Sequence, residues 1–187
     1  MMEVTASGLV TQRFLHGMQA SHLDKLAKTA SEVMFPARHR IFADGEYADK
    51  FWLIESGHVA LDVLVPGEGE AVIGRVGIGG LVGWSWLLPP YRWAFGAVCV
   101  TEVKAFQFDA QVVRDLCAAD PELRYEFTSR LFQVVAGRLQ DTRAKLIVGN
   151  HETSPYVAVG PDVVPPPFPG RRHHVLAYWD RMRRPVS

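Results

Sequence analysis

Apolar and polar positions change rhythm twice along this chain, and each change marks a different kind of element. Near the start, Leu15, Met18, Leu23, Leu26, Ala27 and Ala30 recur at helical spacing, and Ser21 followed by Asp24 suits a capped helix start. After Pro36 the rhythm shortens. Arg40–Phe42 ends at the turn signal Asp44-Gly45, Phe51–Ile54 at Ser56-Gly57, and Val59–Val65 at Pro66-Gly67. Ala71–Val76 runs into a group of glycines, and Ala97–Thr101 and Val103–Phe108 add two more runs. Short apolar runs separated by glycine turns predict an antiparallel sandwich or barrel.

Helical spacing returns after Phe108. Asp109 is placed to cap Ala110–Ala118, and Asp120-Pro121 opens a second helix with proline at its first position. Leu123, Phe127, Leu131, Val135, Leu139 and Leu146 form one stripe on it, widened by Phe132 and Val134, with Gly149-Asn150 as a stop. A stripe of this length reads either as packing on the β domain or as half of a two-helix dimer seam. From His151 on, Pro155, Pro161, Pro165, Pro166, Pro167 and Pro169 prevent regular structure, and the basic end carries Tyr178 and Trp179. That tail reads as disordered or as a docking peptide; it is too short for a helix-turn-helix unit. The expected division is an N-terminal extension over 1–11, a domain over 12–148 and a tail over 149–187.

Composition narrows the function. Twenty Lys and Arg balance twenty Asp and Glu in the 187 residues, which argues against a general electrostatic attachment to nucleic acid or membrane. No apolar run approaches the ~20 residues of a membrane span. The opening MMEVTASGLVTQRF lacks the basic and apolar regions of a signal peptide. Cys99 and Cys117 form no CxxC, so they read as reduced, buried thiols of a cytoplasmic protein. His16, His22, His39, His58, His151, His173 and His174 lack metal-site spacing, and no GxSxG, Walker A or GxGxxG context appears. A non-catalytic protein is expected.

The segment from Gly79 to Ala97, GGLVGWSWLLPPYRWAFGA, is the exception to this plainness. It holds three tryptophans, four glycines, Pro89-Pro90 and a single charge, Arg92. Glycines before a helical turn let backbone N–H groups approach a phosphate, and a lone Arg can supply a fork for it. The plainer reading makes Gly79 and Gly83 ordinary turn glycines, Trp84 and Trp86 core residues, and Arg92 a cation stacked on Trp84 or Trp93. Tyr91 and the proline pair then stiffen the loop.

Three segments in this order resemble the cyclic-nucleotide-binding domain of the Crp/Fnr type. They are Ile41–Leu61 (IFADGEYADKFWLIESGHVAL, with Gly45 and Gly57 in turns), Val76–Leu88 (VGIGGLVGWSWLL, with Gly79 and Gly83) and Phe108–Leu146. The resemblance covers about residues 12–148. It implies an α+β, mainly β fold: an antiparallel β-roll or jelly-roll with N-terminal helices and a long C-terminal helix. It also implies a regulatory module of the bacterial cytoplasm, and the long apolar stripe makes the helix 121–148 its expected dimer seam. That module would stand alone, without the DNA-binding domain, direct DNA contact or membrane attachment. In the family a Gly-Glu pair opens a short helix. The Glu accepts the ribose 2′-hydroxyl, and an Arg before Ser/Thr-Ala holds the cyclic phosphate.

Here Gly83 matches the glycine and Trp84 stands at the Glu position. An indole only donates, and an unpaired buried hydroxyl costs about 1–3 kcal/mol, on the order of ten- to a hundredfold in affinity. Arg92 is followed by Trp93-Ala94. Counting forward from Gly83 puts Arg92 in the phosphate slot; counting back from Phe108-Asp109 puts Trp93 there. The candidate ligand residues are Gly83, Trp84, Ser85, Trp86, Arg92, Trp93 and Ala94, the implied ligand cAMP, cGMP or another small anion. The two resulting readings are a small-molecule sensor and a ligand-free module that docks a protein partner through its helices or tail.

Overall fold

The computed structural model describes residues 4–67 and 69–152; the expectation for the tail lies, past Glu152, outside the described residues. Two short helices lead, α1 (Ala6–Val10) and α2 (Ala20–Ala27), with a 3-10 turn at Arg13–Leu15 between them. α1 falls within the span read as an N-terminal extension, yet its Leu9 is wholly buried in the core. α2 starts from Gln19, whose carbonyl accepts His22 N–H and Leu23 N–H, so Ser21 is not its cap. The helix also stops earlier than its apolar rhythm suggests. Both the N–H and the hydroxyl of Thr29 donate to Leu26 O, and Ala30 already belongs to strand β1 (Ala30–Phe35).

The remaining strands are β2 (Arg40–Phe42), β3 (Lys50–Ser56), β4 (Val59–Val65), β5 (Gly69–Val76), β6 (Leu81–Val82), β7 (Gly96–Cys99) and β8 (Val103–Asp109). They form two four-stranded sheets, ordered β1-β8-β3-β6 and β2-β7-β4-β5, with every pairing antiparallel. The β3–β4 hairpin turns at Gly57, with φ 86°; a Cβ there would stand 2.1 Å from the carbonyl oxygen of Glu102. The mainly β architecture with flanking helices is the one the sequence implies.

In the register of β3 on β8, Phe51 lies opposite Phe108, Trp52 opposite Gln107 and Leu53 opposite Phe106. Side chains alternate across a strand, so Phe51 and Phe108 share one face while Trp52 and Gln107 share the other. The first face carries an aromatic core. Phe51 stacks on Phe108 at 4.7 Å and on Trp86 at 4.8 Å, and Phe127 meets Phe14, Phe51 and Trp86 edge-on.

Phe127 comes from the last helix. Asp109 caps α3 (Ala110–Ala119) by accepting Val112 N–H at 3.0 Å. Asp120 caps α4 (Pro121–Glu152) by accepting from Glu122 and Leu123, and α4 runs through the expected stop at Gly149-Asn150. Leu123, Phe127 and Leu131 are buried, so the first part of the predicted stripe packs on the β-roll. A second row does not. Tyr125, Phe132 and Leu139, seven residues apart, are 75%, 73% and 53% exposed.

The α3–α4 corner is pinned to α2 by charge. Lys25 Nζ lies 2.5 Å from Asp120 Oδ2, and the buried His22 contacts Glu126 at 2.8 Å and Asp120 at 3.5 Å. The Lys25 ammonium, then the Leu123 N–H, lowers the Asp120 carboxyl from 3.8 to about 2. A carboxyl depressed by folding adds stability above its unfolded value and loses it as pH falls through the folded one. Unfolding midpoints in urea should therefore drop between pH 3.8 and about 2, and Asp120→Asn should flatten that part of the profile. An unchanged slope in the variant would show that Asp120 does not carry it.

Candidate ligand cassette

β6 ends at Val82, and the chain turns through Gly83 (φ 79°) into a 3-10 turn at Trp84–Leu87. A side chain at Gly83 would collide. Its Cβ would stand 2.9 Å from Trp93 Cζ3 and 3.2 Å from Trp52 Cζ3. The volume beside this glycine is therefore filled by the Trp93 indole, which is buried and stacks on Phe42 at 4.0 Å. Its main chain is held on both sides, Trp93 N–H donating to Glu46 O and Trp93 O accepting Gly45 N–H.

Arg92 is the correction to the forward count. It forms an isolated antiparallel bridge with Tyr47, its side chain is exposed, and Nη1 donates to Gly45 O at 2.8 Å. Neighbours in extended chain point to opposite sides, so the inward turn of Trp93 sends Arg92 outward. Arg92 neither enters the cassette nor stacks on Trp84 or Trp93; the cation–π pair of this loop is Arg114 over Tyr91, at 4.9 Å. Arg114 Nη1 also donates to Trp86 O.

Of the seven residues singled out in the sequence, Gly83, Trp84, Ser85, Trp93 and Ala94 line one small pocket. Trp86 is instead a core residue with no exposure, and its indole N–H has no partner among the described residues. Ser85 Oγ accepts Ala94 N–H at 3.4 Å, tying the two sides of the pocket together. The space left is about 10 Å³, room for roughly one water; small-molecule sites measure about 300–1,000 Å³.

Sequence reasoning missed a cation that does reach this pocket. Arg138 of α4 lines it, and its Nη2 donates to Leu81 O at 2.5 Å. Burial pushes the guanidinium pKa down, yet an Arg in protein keeps its charge. The only signal was its position seven residues after the buried Leu131, on the same helix face. Both cysteines are free and buried, and burial pushes their thiol pKa values up. Among the described residues no cluster of His, Cys, Asp or Glu can hold a metal, and no helix is long and apolar enough to cross a membrane.

Residues 32–120 match the sequence model of the family described as cyclic nucleotide-binding domain. The chain carries a domain of that family. A CRP-like cAMP-activated global transcriptional regulator of Mycobacterium tuberculosis is 30% identical to it over 130 residues, 70% of this chain and 56% of that protein. The chain thus spans little more than half the length of this relative. Two solved structures share the fold of the cyclic nucleotide-binding domain. A Geobacter metallireducens protein named as cyclic nucleotide-binding superposes with a TM-score of 0.67 at 22% identity, covering 73% of this chain and 98% of its own. The catabolite activator protein of Thermus thermophilus gives 0.59 at 22% identity, covering 74% and 63%.

Proposed function

We propose that this cyclic nucleotide-binding domain is a non-catalytic regulatory module of the bacterial cytoplasm whose cassette is closed to cAMP and cGMP, and that it acts through protein contacts. The observation that carries this reading is the Trp93 indole standing where a ligand would meet Gly83, with about 10 Å³ left beside it. Two further features support it. Trp84 offers no acceptor for a ribose hydroxyl, and Arg92 is spent on Gly45 O outside the pocket.

The first protein contact is a homodimer along α4. Tyr125, Phe132 and Leu139 repeat every seven residues and face solvent in the single chain. A heptad row of large apolar side chains is the pattern that pairs two helices.

Calorimetry and thermal melting with cAMP and with cGMP, each at about 1 mM, test the closed cassette. No heat and no shift in Tm are expected. A ligand at a hundred times its Kd would add about 2.7 kcal/mol to stability, so a clear rise in Tm with either nucleotide would overturn the proposal.

A further inference from the structure

Trp93 and Phe42 are shared by two cavities. One is the small cassette pocket; the other is a cavity of about 490 Å³ lined also by Phe35, Ile41, Tyr47 and Gln107. We propose that this second cavity, across the aromatic partition from the cassette, is a binding site for a flat heteroaromatic molecule that carries no negative charge. The proposal does not depend on whether the cassette is closed.

Size is the first argument, since about 490 Å³ lies within the range of small-molecule sites. The wall is the second. Phe42 lies 4.0 Å from Trp93 and 5.5 Å from Trp52, at interplanar angles of 21° and 18°. These rings are 7%, 4% and 3% exposed for Phe42, Trp52 and Trp93 and pack on one another, with the two indoles tilted at 39°, so a flat ring entering the cavity gains from burial against an aromatic wall.

The third argument is a polar group whose orientation is fixed. Trp52 Nε1–H donates to Gln107 Oε1 at 3.1 Å. An indole nitrogen is a donor only, so the oxygen of this amide must face Trp52 and the NH2 remains to donate elsewhere. Gln107 lines the cavity, where its NH2 can meet a ring carbonyl or ring nitrogen.

Charge at the mouth decides the sign of the ligand. Glu46, Asp49 and Lys50 line it. Lys50 Nζ is engaged by Asp49 Oδ2 at 3.1 Å. Glu46 forms no ion pair among the described residues; its Oε2 accepts Ala43 N–H at 2.9 Å. The charged residues that line the cavity thus sum to one net negative charge, and Glu46 also feels the Arg40 guanidinium. The nearby Arg40 guanidinium is already forked onto Asp62, with Glu70 as a third contact. A phosphate or carboxylate entering here meets like charge.

The test uses the full chain and two probes with the same ring, neutral 4-quinolone and the anion 4-quinolone-3-carboxylate, with indole N–H resonances as readout. The neutral probe should shift the Trp52 and Trp93 signals and leave Trp84 unmoved. The carboxylate should bind about tenfold more weakly, and Glu46→Gln, which keeps an oxygen for Ala43 N–H, should narrow that gap. Gln107→Leu should weaken the neutral probe by about fivefold. No shift at Trp52 and Trp93 with millimolar 4-quinolone would overturn the proposal. So would a carboxylate that binds as well as the neutral ring, or a response confined to Trp84. A negative result here leaves the cyclic-nucleotide titration unaffected, because that experiment reports on the other side of the partition.

Discussion

Trp93→Ala should destabilise the β-roll by about 3–5 kcal/mol, lowering Tm by roughly 10–20 °C. Trp93 is 3% exposed and packs on Phe42, Trp52 and the backbone of Gly83. Removing it deletes the contacts of a whole indole and leaves a void that rigid neighbours cannot close, because Phe42 and Trp52 are themselves anchored in strands. The same change joins the two cavities that Trp93 separates. The measurement is a pair of urea unfolding curves at neutral pH. A loss below about 1 kcal/mol would mean that the indole is not the packed partition described above. Arg92→Ala is the matched control: its side chain is exposed and makes one hydrogen bond to a loop carbonyl, so it should stay within about 1 kcal/mol of the parent.

The second large effect concerns assembly. Phe132→Glu and Leu139→Glu together should convert a dimer into a monomer, read as a halving of mass in sedimentation equilibrium. Each lost aromatic or aliphatic anchor at a helix seam costs about 2 kcal/mol or more, and each buried like-charge pair adds to it, so a combined loss of a thousandfold in dimer affinity is the order expected. Both side chains face solvent in the single chain, so the monomer should keep its fold and its far-ultraviolet spectrum. Leu131→Glu makes the contrast. That side chain is buried against the β-roll, so its replacement should unfold the domain rather than only separate two copies. A parent protein that sediments as a monomer at micromolar concentration would refute the seam outright, as would a dimer that survives both glutamates.

Much of this fold was legible from the residues because its strands alternate and its turns are marked. The run Val59–Val65 is strand β4 to the residue, and Asp109 and Asp120-Pro121 open the two late helices where expected. Two strands escaped. β1 was hidden because Ala27 and Ala30 continue a helical rhythm that Thr29 interrupts through its hydroxyl. β6 is two residues long and lies inside a glycine-rich segment, too short for alternation to register. The cassette was harder still. Arg92 and Trp93 are adjacent, and a shift of one residue exchanges the inward and outward faces of extended chain. The burial of Trp93 beside Gly83 and the exposure of Arg92 decide which points in. Arg138 was beyond reach, since it lies 57 residues from the carbonyl it holds. The two rows on α4 were merged into one stripe because Leu131 and Phe132 are neighbours in sequence, about 100° apart on the helix, yet one is buried and the other exposed.

The hydrogen bond from Arg138 to Leu81 O has a mechanical meaning. Leu81 belongs to the two-residue strand that leads into Gly83, while Arg138 rides on the helix whose outer face carries Phe132 and Leu139. A torque on that helix reaches the glycine turn through this guanidinium and through Phe127, which meets Trp86 of the turn edge-on, and a rearrangement of the turn loosens the helix in return. Coupling of this kind is reciprocal, its free energy being the same read from either end. On the function proposed above, a protein that grips α4 would set the shape of the turn without a pocket occupant.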